Sequence, residues 1–440
     1  MMAHRRPRFH RRPVFRAGAL GLADQAVISA TNFATMVVLA RALHPSDFGA
    51  FTLAYTGLLL VNGLQAALIT QPHNVLAQGR EGREYAVYTS STAVGQGLFT
   101  LAFALLALVA AGTAAAVAPG VASLLFALVP ALVTWQAQEF VRRILYSETR
   151  LRAALAVDVV SYGGQVAAVV ALAAAGFITP ARALLAVAAT SAAGGLYGAW
   201  KVRGSLTRRI DAAALRENWA FGKWIGAGIG ASWLATQLYI YVAAIVLGST
   251  AAGALRAAQI VLGPLNAFFL FLALVLPIRF AATRARSGDP GLERDLRRAT
   301  AVTTPVVLIY CASTALFATA LLELLYGATY RGYGEVVVLF AVYYVVLQFA
   351  YLLTAALTAK RLTRATFVGS AAGGLFGVVF GWPLVSLLGI EGAVFGMIAS
   401  GVIVNVVFWR AYRRLPGGGA DGSVRDATPP TTLEVPGAAG

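Results

Sequence analysis

The sequence predicts an all-α polytopic membrane protein with about twelve transmembrane helices. Of its 440 residues, 59% are hydrophobic and only 12% are charged, whereas soluble globular chains contain roughly 45–50% apolar and about 25% charged residues. Twelve apolar runs approach the 20 residues or so that cross a hydrocarbon core about 30 Å thick. They lack the alternation of a transmembrane barrel, so we expect them to span as helices. The predicted spans are 17–41, 48–70, 89–112, 121–141, 155–177, 181–200, 221–247, 252–278, 300–322, 335–358, 365–387 and 391–412.

The distribution of the basic residues predicts the topology. Lys and Arg number 35 against 18 Asp and Glu, which gives a formal net charge of +17. With a cytoplasmic N-terminus, 31 of the 35 fall on cytoplasmic segments, three (Arg41, Arg182 and Arg331) fall outside, and Arg256 falls within a span. This asymmetry follows the positive-inside rule and predicts that both termini are cytoplasmic. The charge is therefore a topology signal, and we expect no nucleic-acid binding.

Weak internal similarity predicts two pseudo-symmetric halves of six helices each. Gly49 aligns with Gly253, and Asn62 with Asn266, at the same separation of 204 residues. Each half would start on the same side of the membrane, which makes a parallel repeat. The predicted organisation is a basic cytoplasmic tail (1–16), an N-terminal six-helix bundle (17–203), a cytoplasmic linker (204–220), a C-terminal six-helix bundle (221–412) and a disordered cytoplasmic tail (413–440).

Polar residues within four of the spans predict a central chamber between the two bundles. Spans 1, 2, 7 and 8 carry polar side chains at helical spacing, whereas the other spans are mostly Ala, Val and Leu. Polar groups are costly in hydrocarbon and tend to face a cavity or a partner helix. The candidate substrate-binding residues of this chamber are Gln25, Asn32, Asn62, Arg256, Gln259 and Asn266, and the candidate for ion coupling is Asp24.

Each of these candidates also has a structural interpretation. Arg256 either extends its charge to the outer headgroups or binds an anion in the chamber. Asp24 either pairs with an arginine or titrates or binds a coupling cation. Asn62 and Asn266 either hydrogen-bond between helices or contact a ligand.

Two further groups of charged residues favour structural roles. Arg41 follows the first span, and we expect it to form an interfacial ion pair with Asp47. A second group lies around the turn between spans 4 and 5, where carboxylates and guanidinium groups recur at helical spacing. We expect this group to form a structural ion-pair cluster; its members are Glu139, Arg142, Arg143 and Asp158.

The sequence contains no recognisable motif for catalysis or for a cofactor. It lacks a phosphate-binding Gly-rich loop with a lysine, an H-E-x-x-H motif and a G-x-S-x-G motif. A single cysteine, Cys311, excludes a disulfide framework, and four histidines disfavour a His/Cys metal site. No outward loop exceeds about a dozen residues, which leaves no room for an aqueous catalytic domain. We therefore expect a protein that is not an enzyme and binds no cofactor or metal.

Five short segments, in order along the chain, carry a resemblance to a known family. They are Leu39–Gly49, Gln138–Arg143 continuing to Ala153–Asp158, Gly253–Gln259 with Gly263–Asn266, Tyr326–Tyr330 and Gly389–Ala393. Together they span most of residues 17–412. They are similar to the corresponding turns and helices of bacterial polysaccharide flippases, a family of the multidrug/oligosaccharidyl-lipid/polysaccharide exporter superfamily.

The resemblance implies two six-helix bundles that form a V around a central chamber, open alternately to each side. It implies movement of an undecaprenyl-diphosphate-linked oligosaccharide from the cytoplasmic to the outer leaflet of the bacterial cytoplasmic membrane, for surface polysaccharide export. A cationic Arg256 suits the diphosphate. Without a nucleotide-binding domain, transport would be driven by an H⁺ or Na⁺ gradient or by the substrate's own gradient. Membrane lipids, a polysaccharide polymerase and glycosyltransferases are the expected partners.

Three alternatives have different sequence requirements. A drug/cation antiporter of the same superfamily would need acidic residues in the chamber, where Asp24 is nearly alone. A lipid II flippase of the superfamily would carry an extra pair of spans beyond the twelve. A membrane-embedded glycan polymerase or ligase would carry a sizeable outward loop with catalytic groups.

Replacing Asp24 tests the predicted ion coupling. Asp24→Asn is expected to weaken the dependence of glycan export on the proton or sodium gradient, because an amide can neither release a proton nor neutralise a cation. Export by membrane vesicles with and without an imposed gradient measures this dependence. Asp47→Asn, which changes an aspartate outside the predicted spans, is the matched control. Unchanged gradient dependence of Asp24→Asn would remove this residue from the mechanism.

Overall fold

Twelve helices make up almost all of residues 28–414, the part of the chain that the computed structural model describes. The predictions for Asp24, Gln25, the basic tail 1–16 and all but the first two residues of the tail 413–440 lie outside the described residues. The helices are α1 Ile28–Ala42, α2 Pro45–Leu76, α3 Gly82–Val117, α4 Pro119–Ser147, α5 Leu151–Ala174, α6 Pro180–Val202, α7 Ala212–Thr236 with Leu238–Leu247, α8 Ser249–Val261 with 263–287, α9 289–316 with Ala318–Tyr326, α10 Gly334–Ala359, α11 363–388 and α12 390–414.

The predicted number of spans is confirmed. Within the described residues, eight helices are long and apolar enough to cross a membrane, and the bent α7 makes a ninth. Two of the eight, Gly263–Leu316 and Thr363–Arg414, each contain two spans that meet at a glycine with positive φ. The described part of α1 is a shorter apolar helix. The protein is therefore a multi-pass membrane protein.

Two segments that the sequence analysis treated as charged connections are partly helical. The segment 279–299 is helical on both sides of the bend at Gly288, where φ is 63°. Helix α7 begins at Ala212, inside the predicted linker 204–220, because the Asp211 side chain accepts a hydrogen bond from the Ala213 amide (2.8 Å) and caps the helix. Charge marks these segments as lying outside the hydrocarbon, but it does not prevent a helix from continuing into water.

The helices form an N-terminal bundle (α1–α6) and a C-terminal bundle (α7–α12) with related architecture. Matching turns join α4 to α5 and α10 to α11. Each turn contains a non-glycine residue with positive φ, Thr149 at 57° and Arg361 at 61°. The following amide in each turn bonds back to the carbonyl five residues earlier, in the same helix-ending geometry. The pseudo-symmetric repeat expected from the sequence is thus present in the backbone.

Alternation of the helices places the turns at two ends of the molecule. We call the end that holds the α2–α3, α4–α5, α6–α7, α8–α9 and α10–α11 turns the basic end, because it carries nearly all the basic residues of the described chain. We call the other end the closed end. There the two bundles touch directly.

The closed end is formed by a reciprocal backbone contact between α2 and α8. A Cβ atom added at Gly49 would lie 1.8 Å from the carbonyl oxygen of Ser249, and one added at Gly253 would lie 2.5 Å from that of Pro45. Ser249 and Gly253 are the repeat equivalents of Pro45 and Gly49. The contact is therefore self-complementary about the pseudo-twofold axis, as an isologous interface is, and only glycine permits this separation.

Helix α7 packs against both bundles. Near its start, Asn218 contacts the N-terminal bundle, where its side chain accepts a hydrogen bond from Tyr88 (2.5 Å) and donates one to Thr92 (3.2 Å). After the break at Gln237, where the two parts of α7 differ in direction by 41°, Tyr239 is fully buried and hydrogen-bonds Ser400 of α12 (2.7 Å). At the basic end α7 also contacts the C-terminal bundle, where the rings of Trp224 and Phe367 of α11 lie 6.4 Å apart, so α7 contacts both bundles before its bend and the C-terminal bundle beyond it.

The interior of the N-terminal bundle contains the predicted ion-pair cluster. The Arg142 guanidinium contacts Asp158 at 2.7 Å and Glu139 at 2.9 Å, and Arg143 also contacts Glu139, at 2.6 Å. Asp158 is fully buried, and Glu139 and Arg142 are nearly so. Paired charges of this kind can be held in a low-dielectric interior because each is compensated. The structural interpretation of these four residues is confirmed.

Valine at the glycine contact is expected to open the closed end. In Gly49→Val or Gly253→Val, the new Cβ atom would lie less than 3 Å from a backbone carbonyl oxygen of the facing helix. The helices α2 and α8 must separate until this distance reaches at least the 3.4 Å of ordinary van der Waals contact. Spin labels at Asp47→Cys and Arg331→Cys, in a Cys311→Ala background, would report a longer distance distribution. Gly97→Val is the control, because nothing lies within 4 Å of a Cβ at Gly97. An unchanged distribution would show that this contact does not hold the end closed.

Removing a carboxylate from the buried cluster is expected to destabilise the protein. Asp158→Ala leaves part of the buried Arg142 charge uncompensated, at a cost of about 3 kcal/mol in the free energy of unfolding. Denaturant titration in detergent micelles measures the change. Glu293→Ala, which removes an exposed ion pair with Arg297, is the control and should have no measurable effect. Equal effects of the two substitutions would contradict the structural role of the cluster.

Candidate substrate chamber

A cavity of about 680 Å³ lies between the two bundles. Its walls come from α1, α2, α7 and α8, the four helices whose polar residues predicted it. Three apolar lining residues, Phe33, Leu59 and Leu270, are between 36% and 40% exposed, although they face the interior. The chamber is therefore open, and the contact between α2 and α8 bounds it at the closed end.

Most of the predicted chamber residues that the structure describes line this cavity. Asn32 lies on α1, Arg256, Gln259 and Asn266 lie on α8, and all four are in the wall. Asn62, on α2, is not among the lining residues. The shared register of Asn62 and Asn266 therefore does not place both residues in the chamber wall.

The Arg256 guanidinium is the cation of the chamber wall. Its Nη1 donates to Gln259 Oε1 at 2.9 Å, whereas its Nε is buried without a hydrogen-bond partner. Within residues 28–414, no carboxylate lies within 4 Å of this guanidinium. Its polar neighbours include the uncharged phenol groups of Tyr55, Tyr326 and Tyr344. The arrangement leaves a positive charge that is free to hold an anion.

The wall around Arg256 is rigid. The Tyr55 ring stacks on Trp135 with centroids 5.6 Å apart, and its hydroxyl donates to Asn32 Oδ1 at 3.3 Å. On the other side, the Tyr326 hydroxyl donates to the Ala257 carbonyl at 3.2 Å. Side chains held by packing and by second contacts keep a binding group in place before a ligand arrives.

Arg41 contributes to the closed end of the molecule. Its Nε donates to the Leu325 carbonyl at 2.5 Å, and its Nη2 donates to the Leu324 carbonyl. The expected ion pair with Asp47 is therefore wrong. The carbonyl groups at the end of α9 have no helical partners and carry the negative end of the helix dipole, so they attract a cation from the neighbouring bundle.

The sequence analysis missed two polar regions on helices it described as mostly Ala, Val and Leu. In the N-terminal bundle, Gln65 donates to Gln96 Oε1 at 2.7 Å and to the Gln136 carbonyl at 2.8 Å. In the C-terminal bundle, Tyr343 and Tyr344 of α10 face a second cavity. Glutamine and tyrosine spread singly over several helices leave no periodic signal on any one of them, and only the packing brings them together.

Comparisons with known proteins identify the family and the fold. Residues 38–335, more than half of the chain, match the model of a family described as "Polysaccharide biosynthesis protein". A search of curated protein sequences found no match. Solved structures match at low sequence identity but over most of both chains.

Three of these structures illustrate the similarity in fold. An inward-facing multidrug resistance MATE family transporter of the MOP superfamily has a TM-score of 0.71 at 14% identity, over 88% of this chain and 94% of that one. An outward-facing multidrug resistance MATE family transporter has a TM-score of 0.64 at 15% identity, over 91% of this chain and 94% of that one. The lipid II flippase MurJ, in an inward closed conformation, has a TM-score of 0.68 at 12% identity, over 91% and 88%. The chain thus has the fold of the MOP superfamily and belongs to the polysaccharide biosynthesis protein family.

Proposed function

We propose that this protein is a flippase that moves a polyprenyl-diphosphate-linked oligosaccharide from the cytoplasmic to the outer leaflet of the bacterial cytoplasmic membrane. The observation that carries the proposal is the position of Arg256, a guanidinium without a carboxylate partner in the described wall of a chamber between two bundles. The family's role in polysaccharide biosynthesis indicates the glycan. The chamber indicates a substrate that must cross the membrane.

A diphosphate is the anion that suits this site best. Guanidinium donors match phosphate oxygens in pairs, and the poorly solvated surroundings strengthen the attraction. The Nε of Arg256 has no hydrogen-bond partner within residues 28–414, so an incoming phosphate oxygen would satisfy it. A drug cation would instead be repelled by this charge, which disfavours the drug/cation antiporter.

Alternating access follows from the way the bundles meet. The contacts of Gly49 with Ser249 and of Arg41 with the end of α9 close one end, so access to the chamber in this state would come from the other. By the positive-inside rule the basic end is cytoplasmic, so this state would receive substrate from the inner leaflet. Rocking of the two bundles would then separate α2 from α8 at the closed end, and the substrate could leave on that side.

Substitution of Arg256 in a strain that lacks the chromosomal gene tests the proposal. Arg256→Ala is expected to reduce surface polysaccharide about ten- to a hundredfold, since a charged hydrogen bond contributes roughly 1.5–3 kcal/mol, and Arg256→Lys should retain part of the export. The measurement is the amount of surface glycan together with the leaflet in which lipid-linked glycan accumulates. Arg331→Ala, at an exposed arginine of the closed end, is the matched control.

The outcomes separate the candidate functions. Accumulation of lipid-linked glycan in the cytoplasmic leaflet, with normal amounts of folded Arg256→Ala protein in the membrane, supports the flippase. Normal surface glycan in the deletion strain, with new sensitivity to cationic drugs, would support the antiporter instead. Accumulation of unpolymerised glycan in the outer leaflet would support a polymerase or ligase.

A further inference from the structure

A second cavity, which we call the side cavity, lies inside the C-terminal bundle. Its volume is about 670 Å³, within the range of roughly 300–1,000 Å³ that is typical of small-molecule sites. It is bounded by α7, α8, α10, α11 and α12. Three residues, Gln237, Gln259 and Asn266, line both the side cavity and the central chamber. The two spaces are therefore adjacent and share a polar wall.

The lining of the side cavity is uncharged and combines hydroxyl and amide groups with a larger apolar surface. Tyr343, Tyr344 and Tyr351 of α10 and Thr354 and Ser370 provide the hydroxyl groups, and aliphatic side chains provide much of the rest. No charged side chain is among the residues that line it in the described part of the chain. A phosphate would require cations here and a drug cation would require a carboxylate, whereas a neutral ligand with both polar and apolar faces fits this lining.

The aromatic face of this cavity is held in a fixed orientation. Phe269 lies behind two of the tyrosines, with its ring centroid 5.1 Å from that of Tyr351 and 6.0 Å from that of Tyr344, at interplanar angles of 27° and 24°. Stacked rings of this kind resist rotation. Tyr343 and Tyr344 are almost fully buried, so the part-exposed Tyr351 is the ring that the C–H face of a sugar could contact.

The shared wall contains a hydrogen-bond acceptor to which no group within residues 28–414 donates. Gln237 lies at the break in α7 between Thr236 and Leu238, and its buried Oε1 has no hydrogen-bond partner in the structure. An unsatisfied buried acceptor costs about 1–3 kcal/mol, and a ligand hydroxyl would remove this cost. Broken membrane helices commonly mark substrate sites for the same reason, since they leave polar groups facing the cavity.

We infer that the side cavity binds the neutral sugar residues next to the diphosphate of the substrate. The inference rests on the proposed function and divides the site into two parts. Arg256 holds the diphosphate in the chamber, and Gln259, which accepts from Arg256 and lines both spaces, marks the entrance to the side cavity. Hydroxyl and amide groups then bond the sugar hydroxyls, and the Tyr351 ring and the aliphatic lining cover the apolar faces. The N-terminal bundle fills its own interior with Gln65, Gln96 and the charge cluster.

Binding measurements with two lipids test this division. The purified protein in nanodiscs is titrated with undecaprenyl diphosphate, which carries no sugar, and with the glycan-linked lipid extracted from the deletion strain. Thr354→Leu and Ser370→Leu, which fill the side cavity and remove a hydroxyl, should weaken binding of the glycan-linked lipid about tenfold and leave binding of the sugar-free lipid unchanged. Ser313→Leu, at an exposed serine of α9 that does not line the cavity, is the matched control.

For Thr354→Leu and Ser370→Leu, the sugar-free lipid also reports whether the variant is folded, because a misfolded cavity variant would lose both affinities. Arg256→Ala should weaken the binding of both lipids. Unchanged affinity of folded cavity variants for the glycan-linked lipid would overturn the inference and leave the proposed function in place. An equal affinity of the original protein for the two lipids would also overturn it. Failure of the original protein to bind either lipid would reject the proposed function, and the assignment of the side cavity with it.

Discussion

The contact between α2 and α8 is the constraint on which the rest of the arrangement depends. The backbones of the two helices are in contact there, with Gly49 against Ser249 and Gly253 against Pro45. The pseudo-twofold rotation of the internal repeat superposes this contact on itself. The equivalence of the two halves of this contact places it on the pseudo-twofold axis, and it closes one end of the molecule. Arg256 lies about one turn along α8 from Gly253, so the contact also sets the position of this charge in the chamber wall.

The two bundles satisfy their buried polar groups in different ways, although they share an architecture. A membrane provides no water to compensate such groups, so each must find a partner or face a cavity. The N-terminal bundle uses direct pairing, in which Arg142 bridges two carboxylates and glutamines bond to one another. The C-terminal bundle leaves space beside its tyrosines. We regard the first bundle as the rigid frame and the second as the side of the molecule that contributes most to recognition.

The sequence predicted the fold class, the span count, the repeat and the four helices of the chamber because each depends on patterns along the chain. Hydropathy marks the spans, and Asn32, Arg256, Gln259 and Asn266 share helical spacing that points inward. It could not predict the role of Arg41, since carbonyl groups at the end of α9 have no signature in residue identity. Asn62 shows the same limit, because its repeat equivalence to Asn266 does not determine whether its side chain faces the chamber. The side cavity combines residues of five helices, and no single helix carries enough of them to be noticed.

The division of α7 between the two bundles has a mechanical consequence. Its first turns contact the N-terminal bundle through Asn218 and the C-terminal bundle through Trp224, and its last turns contact the C-terminal bundle through Tyr239. A rotation of one bundle against the other would then act both on the Asn218 hydrogen bonds and on the angle at Gln237, which is 41° in this state. A molecule that bonds Gln237 changes the energy of that angle, and by reciprocity the angle changes the affinity for the molecule. Occupancy and rocking would then be coupled through a single hinge, without a separate sensor.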